Sequence, residues 1–161
     1  MLNNPKLYTL SDLLPVLEPL RRDGQKLVFT NGCYDLLHPG HVDFLARCKA
    51  LGDKLILGLN SDCSVARQGK KPARPITRFD DRAFVLAGLE AIDFIVGFEE
   101  DTPAGLIAAV RPQVLVKGGD WTPERIVGRE TVLAEGGEVL SLPLLSGYST
   151  TGLIEKIRRL F

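Results

Sequence analysis

Charge of one sign is not in excess over the whole chain: 20 Lys and Arg face 20 Asp and Glu, for a formal net charge of zero, although Arg67 to Arg74 forms a local basic loop. A strongly basic binder of nucleic acid or of an anionic membrane surface is thereby excluded, because such proteins carry their attraction in their composition. Cysteine and histidine are scarce, at three and two residues. Cys33, Cys48 and Cys63 never reach metal-ligand spacing, and the two histidines do not complete a zinc set with them. The odd cysteine count, and an opening segment whose leucines are interrupted by Asn, Pro, Asp and Glu, speak against a secretory leader and for a reducing, cytoplasmic setting. No apolar run approaches the roughly 18 residues of a membrane span. Gly and Pro supply 16 and 10 of 161 residues, well under the roughly 25–30% of low-complexity chains. No internal repeat or linker divides the sequence.

What the chain does have is a regular supply of short apolar runs. Hydrophobic residues make up 45%, and a chain of this length buries about 70% of its unfolded surface without staples. One domain over residues 1–161 is expected. It opens on a helical extension, 1–24, whose helix starts at Ser11 as its cap and carries Leu13, Leu14, Leu17 and Leu20 on one side. Continuous apolar runs at 26–31, 54–60, 93–97, 114–117 and 137–142 predict five strands of the kind buried on both faces in parallel sheets. Helical spacing predicts helices over 41–51, through Arg82, Val85, Leu86 and Leu89, over 103–110 and over 149–159. Their alternation makes right-handed crossovers. The expected fold is α/β: a Rossmann-like, doubly wound sheet of about five parallel strands in three α/β/α layers. In such sheets a ligand sits beyond the carboxyl ends of the strands, where the strand order reverses. That rule points to the residues following 26–31, 54–60 and 114–117, and to the start of the last helix.

Both histidines fall in the first of these places, where residues 29–41 read Phe-Thr-Asn-Gly-Cys-Tyr-Asp-Leu-Leu-His-Pro-Gly-His. Pro39 suits the first turn of a helix, where its missing N–H costs nothing. Gly40 lets a phosphate or a planar base approach the backbone. His41 then stands beside the positive end of the helix dipole, a setting that favours anions. Two imidazoles there donate hydrogen bonds to phosphate oxygens without the fixed charge of a lysine. No Gly-x-Gly-x-x-Gly follows the first strand, which argues against a dinucleotide-dependent dehydrogenase.

The His38-Pro-Gly-His41 segment resembles the His-x-Gly-His signature of the cytidylyltransferase-like nucleotidyltransferases. Asn31-Gly-Cys-Tyr-Asp35 resembles the stretch that precedes it in that family, with Tyr34 in the usual Phe place. Gly147-Tyr-Ser-Thr-Thr151 resembles the family's second signature, in which Ser149 and Thr150 cap a late helix and donate to phosphate. Further segments are similar to the heptose 1-phosphate adenylyltransferases of ADP-heptose synthesis: Leu59-Asn-Ser-Asp62, Arg74-Pro-Ile, Leu89-Glu-Ala-Ile-Asp93, Phe98-Glu-Glu-Asp-Thr-Pro103, Val114-Leu-Val-Lys-Gly-Gly-Asp120 and Gly136-Gly-Glu-Val139. The likeness covers about residues 26–159, and Lys117-Gly-Gly-Asp120 is its most discriminating element.

The resemblance implies in-line nucleotidyl transfer. A sugar-phosphate oxygen attacks the α-phosphorus of ATP and pyrophosphate leaves, with catalysis mostly by positioning and charge stabilisation. His38 and His41 would grip the phosphates, and Arg82 aligns with a family arginine that reaches substrate phosphate. The nucleotide would be held by Thr30, Asn31, Gly32, Cys33, Gly40 and His41 after the first strand, and by Asn60 after the second. Lys117, Gly118 and Asp120, then Ser149, Thr150 and Thr151, complete that set. Lys49, Lys71, Arg74 and Arg82 are candidates for the acceptor's phosphate, with Lys70 beside them; a solvated surface role stays open for the lysines. Asp35 is a candidate ligand for Mg²⁺ accompanying ATP, with a turn aspartate as its alternative. Trp121 either covers the ligand or packs. Cys33 has no adjacent base to activate it as a nucleophile.

The partners so implied are ATP and a sugar 1-phosphate, without nucleic acid or membrane, and the family implies a homodimer. Two other readings stand beside this one. A glycerol-3-phosphate cytidylyltransferase, or another alcohol-phosphate enzyme, would carry an arginine just before the Ser-Thr-Thr element, where this chain has Pro143-Leu-Leu-Ser-Gly147. A nucleotide-binding module without catalysis has little reason to keep both histidines.

Overall fold

Residues 4–69, 73–119 and 121–160 are described by a computed structural model. In chain order the elements are β1 (Leu7–Tyr8), α1 (Leu10–Arg22), β2 (Leu27–Gly32), α2 (Pro39–Lys49), β3 (Lys54–Asn60), α3 (Asp62–Arg67) and α4 (Phe79–Ala87). They continue with β4 (Phe94–Phe98), α5 (Ala104–Val110), β5 (Val114–Gly118), a 3-10 turn (Pro123–Arg125), α6 (Arg129–Ala134), β6 (Glu138–Leu142) and α7 (Thr150–Leu160).

The five expected apolar runs are β2 to β6, and all of them pair in parallel. A sixth parallel strand, β1, was not expected. It lies inside the segment read as a helical extension and pairs Leu7 with Ile95 and Tyr8 with Val96. Two residues are too few to show strand periodicity; Ile95 N–H donating to Lys6 O at 2.7 Å holds the segment to β4. The helix that follows is capped by Thr9 rather than Ser11: Thr9 Oγ1 accepts from Asp12 N–H at 3.2 Å. It runs unbroken through Pro15 and Pro19. Ser11, Pro15 and Pro19 recur every four residues and are all exposed, so the carbonyls that the prolines leave unpaired face water. The short helices α3 and α6 and the 3-10 turn were not expected either.

The sheet order is β1-β4-β3-β2-β5-β6. From β2 the chain moves first to one side, through β3 and β4, and then to the other, through β5 and β6. Strand order therefore reverses between β2 and β5. Alternate residues of each strand feed two separate cores. Leu27 and Phe29 pack with Leu13 and Leu17 of α1 and Ile107 of α5. Val28 packs on the opposite face with Phe44 and Leu45 of α2 and with Ala83 and Leu86 of α4. These are the three layers expected of a doubly wound α/β fold.

Candidate active site

A cleft of about 700 Å³ opens at the carboxyl ends of β2 and β5, where the order reverses. At its floor Lys117 Nζ, from the end of β5, donates to Asn31 Oδ1, from the end of β2, at 3.1 Å. The two halves of the sheet are thus tied by side chains at the point where they diverge.

The turn after β2 builds the next layer. Tyr34 adopts a left-handed φ of 46° and its ring folds back over Gly32. A β-carbon at residue 32 would lie 2.8 Å from that ring, which accounts for glycine there. Tyr34 is buried, and burial pushes its hydroxyl well above the ordinary range. Its ring meets His41 at 4.9 Å between centroids, tilted by 55°. His41 in turn stacks on His38 at 3.8 Å and 17°, and His38 faces the Tyr148 ring at 6.4 Å. His38 is the N-cap of α2 without a side-chain cap bond, and Pro39 opens the helix. Gly40 leaves the room this stack needs: a β-carbon there would come within 3.1 Å of His38 Nδ1 and 3.2 Å of Tyr148 Cβ.

Both imidazoles are held neutral. Loss of hydration on burial, and then the neighbouring His38, lower the His41 pKa from 6.5 to about 4. Burial lowers that of His38 as well. Nδ1 of each ring is buried with no hydrogen-bond partner among the described residues. Buried polar atoms are normally paired, so orphaned nitrogens on both rings of a stacked pair mark a place completed by a ligand or by water.

The opposite lip is the start of α7. Ser149 caps it, its Oγ accepting Gly152 N–H at 3.0 Å. Thr150 and Thr151 follow, and all three line the cleft. Arg74 reaches across from the far side. Its side chain is buried, with Nη1 donating to Asp35 Oδ2 at 3.3 Å and Nη2 to Thr151 Oγ1 at 3.4 Å.

Most of the expected residues therefore converge: Asn31, Gly32, Cys33, Asp35, His38, Gly40, His41, Asn60, Arg74, Lys117, Gly118, Ser149, Thr150 and Thr151 all line this cleft. Four expectations need correction. Thr30 is fully buried on the α2 face of β2, beneath the cleft rather than in it. Lys49 sits at the far end of α2, donating to Asp93 Oδ2 at 2.6 Å and Asp53 O at 2.5 Å. Those partners immediately precede β4 and β3, so Lys49 lies at the amino-terminal ends of the strands, opposite the cleft.

Arg82 does not touch the cleft either. Its fully buried guanidinium donates to Thr77 O at 3.0 Å, Cys33 O at 2.6 Å, Asn60 O at 2.9 Å and Asp62 Oδ1 at 2.7 Å. Four of its five N–H groups are spent on the protein, which makes it a positioning residue. Asp35 is similarly committed. Oδ1 accepts Ile76 N–H at 2.8 Å and Thr77 N–H at 2.9 Å while Oδ2 accepts Arg74. A carboxylate with this many donors, 3% exposed, does not fit as a metal ligand. No group of three His, Cys, Asp or Glu comes together as a cation site among the described residues. Lys70, Lys71 and Asp120 lie outside the described residues.

Some lining residues were not singled out as site residues. Gln68, Arg125 and Ile126 reach the cleft from loops or element ends, where no local pattern announces a site; Asp101 and Tyr148 fall inside the Phe98–Pro103 and Gly147–Thr151 segments that carry the resemblance. Trp121, left open by the sequence, lines the cleft with about half its surface exposed.

A stacked, neutral imidazole pair at the reversal point of a doubly wound sheet, faced by a helix start rich in hydroxyls, defines a nucleotidyltransferase-type domain. A family model described as cytidylyltransferase-like matches residues 29–156, and the chain belongs to that family. It is 51% identical over 152 residues to the bifunctional protein HldE of Syntrophotalea carbinolica, covering 94% of this chain and 31% of that protein. To the bifunctional protein HldE of Pseudomonas paraeruginosa it is 53% identical over 150 residues, covering 93% and 31%. The chain thus spans about a third of the length of these relatives. Among solved structures, a lipopolysaccharide core biosynthesis protein from Thermoplasma volcanium superposes with a TM-score of 0.61 at 25% identity, over 78% of this chain and all of that one. A pantoate-β-alanine ligase from Francisella tularensis shares the fold, with a TM-score of 0.60 at 13% identity over 96% of this chain and 77% of that one. No described helix is long and apolar enough to cross a membrane.

Proposed function

We propose that the chain transfers AMP from ATP to D-glycero-β-D-manno-heptose 1-phosphate, giving ADP-heptose and pyrophosphate. The observation that carries the transfer chemistry is the His38–His41 stack, 3.8 Å between rings, with an unpartnered nitrogen on each. The heptose acceptor is supported by the order of short segments from Leu59 to Val139. Identity of about half to the bifunctional HldE proteins supports it further, as does likeness to a lipopolysaccharide core biosynthesis protein.

In the reaction a phosphate oxygen of the acceptor attacks the α-phosphorus of ATP. A new P–O bond forms opposite the bond to the bridging oxygen of the β-phosphate, which breaks, and that oxygen leaves with pyrophosphate. The acceptor phosphate is already an anion near pH 7, so no general base is required. The protein's task is to bear the charge gathering on the phosphoryl oxygens. Each neutral imidazole has one N–H to donate to those oxygens. Lys117 adds a fixed positive charge at the floor, and the starts of α2 and α7 add partial ones. Mg²⁺ belongs to the substrate here, entering as the ATP complex with phosphate oxygens as its ligands.

The test is pyrophosphate release from each of the four nucleoside triphosphates, paired with heptose 1-phosphate, hexose 1-phosphates and glycerol 3-phosphate. Release that requires ATP, a divalent cation and the heptose phosphate together is the expected result. Faster turnover with CTP and glycerol 3-phosphate assigns the chain to the alcohol-phosphate cytidylyltransferases, and silence in every pairing removes catalysis from the account.

A further inference from the structure

The cleft is chemically lopsided. At its β5–β6 end the walls are mostly apolar, with Trp121, Ile126, Val127 and Leu144 beside Gly118, and Arg125 brings a charged side chain among them. At its β3–β4 end Gln68, Asp101 and Thr102 bring polar groups in between Val65 and Pro103. A planar base loses little by leaving water for the first surface, whereas an acceptor rich in hydroxyls must exchange each hydrogen bond to water for one to protein. The phosphates, gripped between the two ends, leave the base and the acceptor to opposite walls.

The polar wall is built rather than incidental. Gln68, the C-cap of α3, has its amide fixed over the end of β2: Nε2 donates to Cys33 Sγ at 3.2 Å, and that thiol donates back to Oε1 at 3.4 Å. Asp101 comes from the loop after β4 and is braced by the neighbouring Arg67, whose Nε donates to Oδ1 at 2.7 Å. Arg67 is anchored in turn by a bond from Nη2 to Glu99 O. The two loops are stitched underneath as well. Asn60 Nδ2 donates to Ser64 Oγ at 2.9 Å, and that hydroxyl donates to Glu100 O at 2.9 Å. Asp101 Oδ2 accepts no hydrogen bond among the described residues, so an exposed carboxylate steadied on one oxygen by Arg67 offers a free acceptor to the cleft that the Gln68 amide also lines.

From this geometry we propose that Asp101 and Gln68 bind the hydroxyls of the sugar-phosphate acceptor, and so select a polyhydroxylated sugar over a short alcohol phosphate. A carboxylate accepts two neighbouring hydroxyls at once, and the amide supplies the complementary donor and acceptor. Sites that pair a substrate hydroxyl reject analogues lacking it far more strongly than apolar pockets sort by size. Arg67 acts through Asp101 as a positioning residue.

This inference rests on the heptose phosphate reading above, and its test separates the two. Steady-state kinetics with ATP and heptose 1-phosphate are measured for the intact chain and for Asp101→Ala, Asp101→Asn and Gln68→Ala. These are exposed positions, and circular dichroism checks that each variant folds. Each Ala variant is expected to raise KM for the sugar phosphate about tenfold while KM for ATP stays within twofold. The preference for heptose 1-phosphate over glycerol 3-phosphate falls by a similar factor. Asp101→Asn, which keeps shape and half the acceptors, is expected to fall between. Sugar KM unchanged in both Ala variants, or ATP KM rising in step with it, overturns the inference alone. A wild-type chain that turns over no sugar phosphate overturns the reaction reading and this inference together.

Discussion

At the scale of single residues, the site depends on two rings that cannot both be charged. Imidazolium ions 3.8 Å apart would repel in a half-dry cleft, and burial already favours the neutral form. A histidine pKa lowered on folding has a definite consequence for stability. The unfolded chain titrates His41 near 6.5 and the folded chain near 4, so between those values the unfolded state binds more protons. Unfolding free energy therefore rises with pH across that window and is lost as pH falls through it, with His38 adding in the same direction. His41→Ala removes this component, and its Tm is expected to fall less than that of wild type between pH 7 and pH 5. The same variant should lose about 10²–10³ in kcat at pH 7, the usual effect of removing one preorganised donor. Parallel Tm-against-pH curves for the two proteins, or undiminished turnover, count against the role given to this ring.

At the scale of elements, what holds the site in shape is a buried arginine that sequence reasoning takes for a substrate contact. Charged residues on helices are mostly solvated, and nothing in Phe79-Asp-Asp-Arg82 says otherwise. Arg82 from α4 instead clasps the ends of β2 and β3 and the segment at Thr77. Lysine cannot reproduce this fork, since its compact ammonium meets three partners at most. Arg82→Lys is expected to cost about 3 kcal/mol of stability by leaving buried carbonyls unpaired, hence roughly 6–12 °C in Tm for a chain of this size. Activity should fall with it. An unchanged Tm with a raised acceptor KM would instead put Arg82 in contact with substrate. Lys49 shows a misreading rather than a limit. The histidines already put the start of α2 at the cleft, and residue 49, about two turns on, falls at the far end with Asp93 and Asp53. The strands were legible because parallel strands buried on both faces are apolar throughout. α3, α6 and β1 were not, because six residues or fewer contain too little of any period and are held by tertiary bonds.

At the scale of the whole molecule, the cleft lies at the one place where the sheet's two wings part, so a ligand that fills it joins them. Residues from β2, β5, α2 and α7 all border it, and their convergence was foreseeable from topology, since strand-order reversal and helix starts are general properties of this fold. The polar wall was not, because Gln68 and Asp101 come to one cleft only through pairing of β3 with β4. A nucleotide that engages both wings binds the folded state alone. ATP at a hundredfold excess over its Kd should then add about 2.7 kcal/mol to unfolding, roughly 5–10 °C in Tm. His41→Ala should blunt this shift, while Asp101→Ala, at the acceptor wall, should leave it intact. An ATP shift lost equally in both variants would place the nucleotide across the whole cleft, and the division between its apolar and polar ends would have to be abandoned.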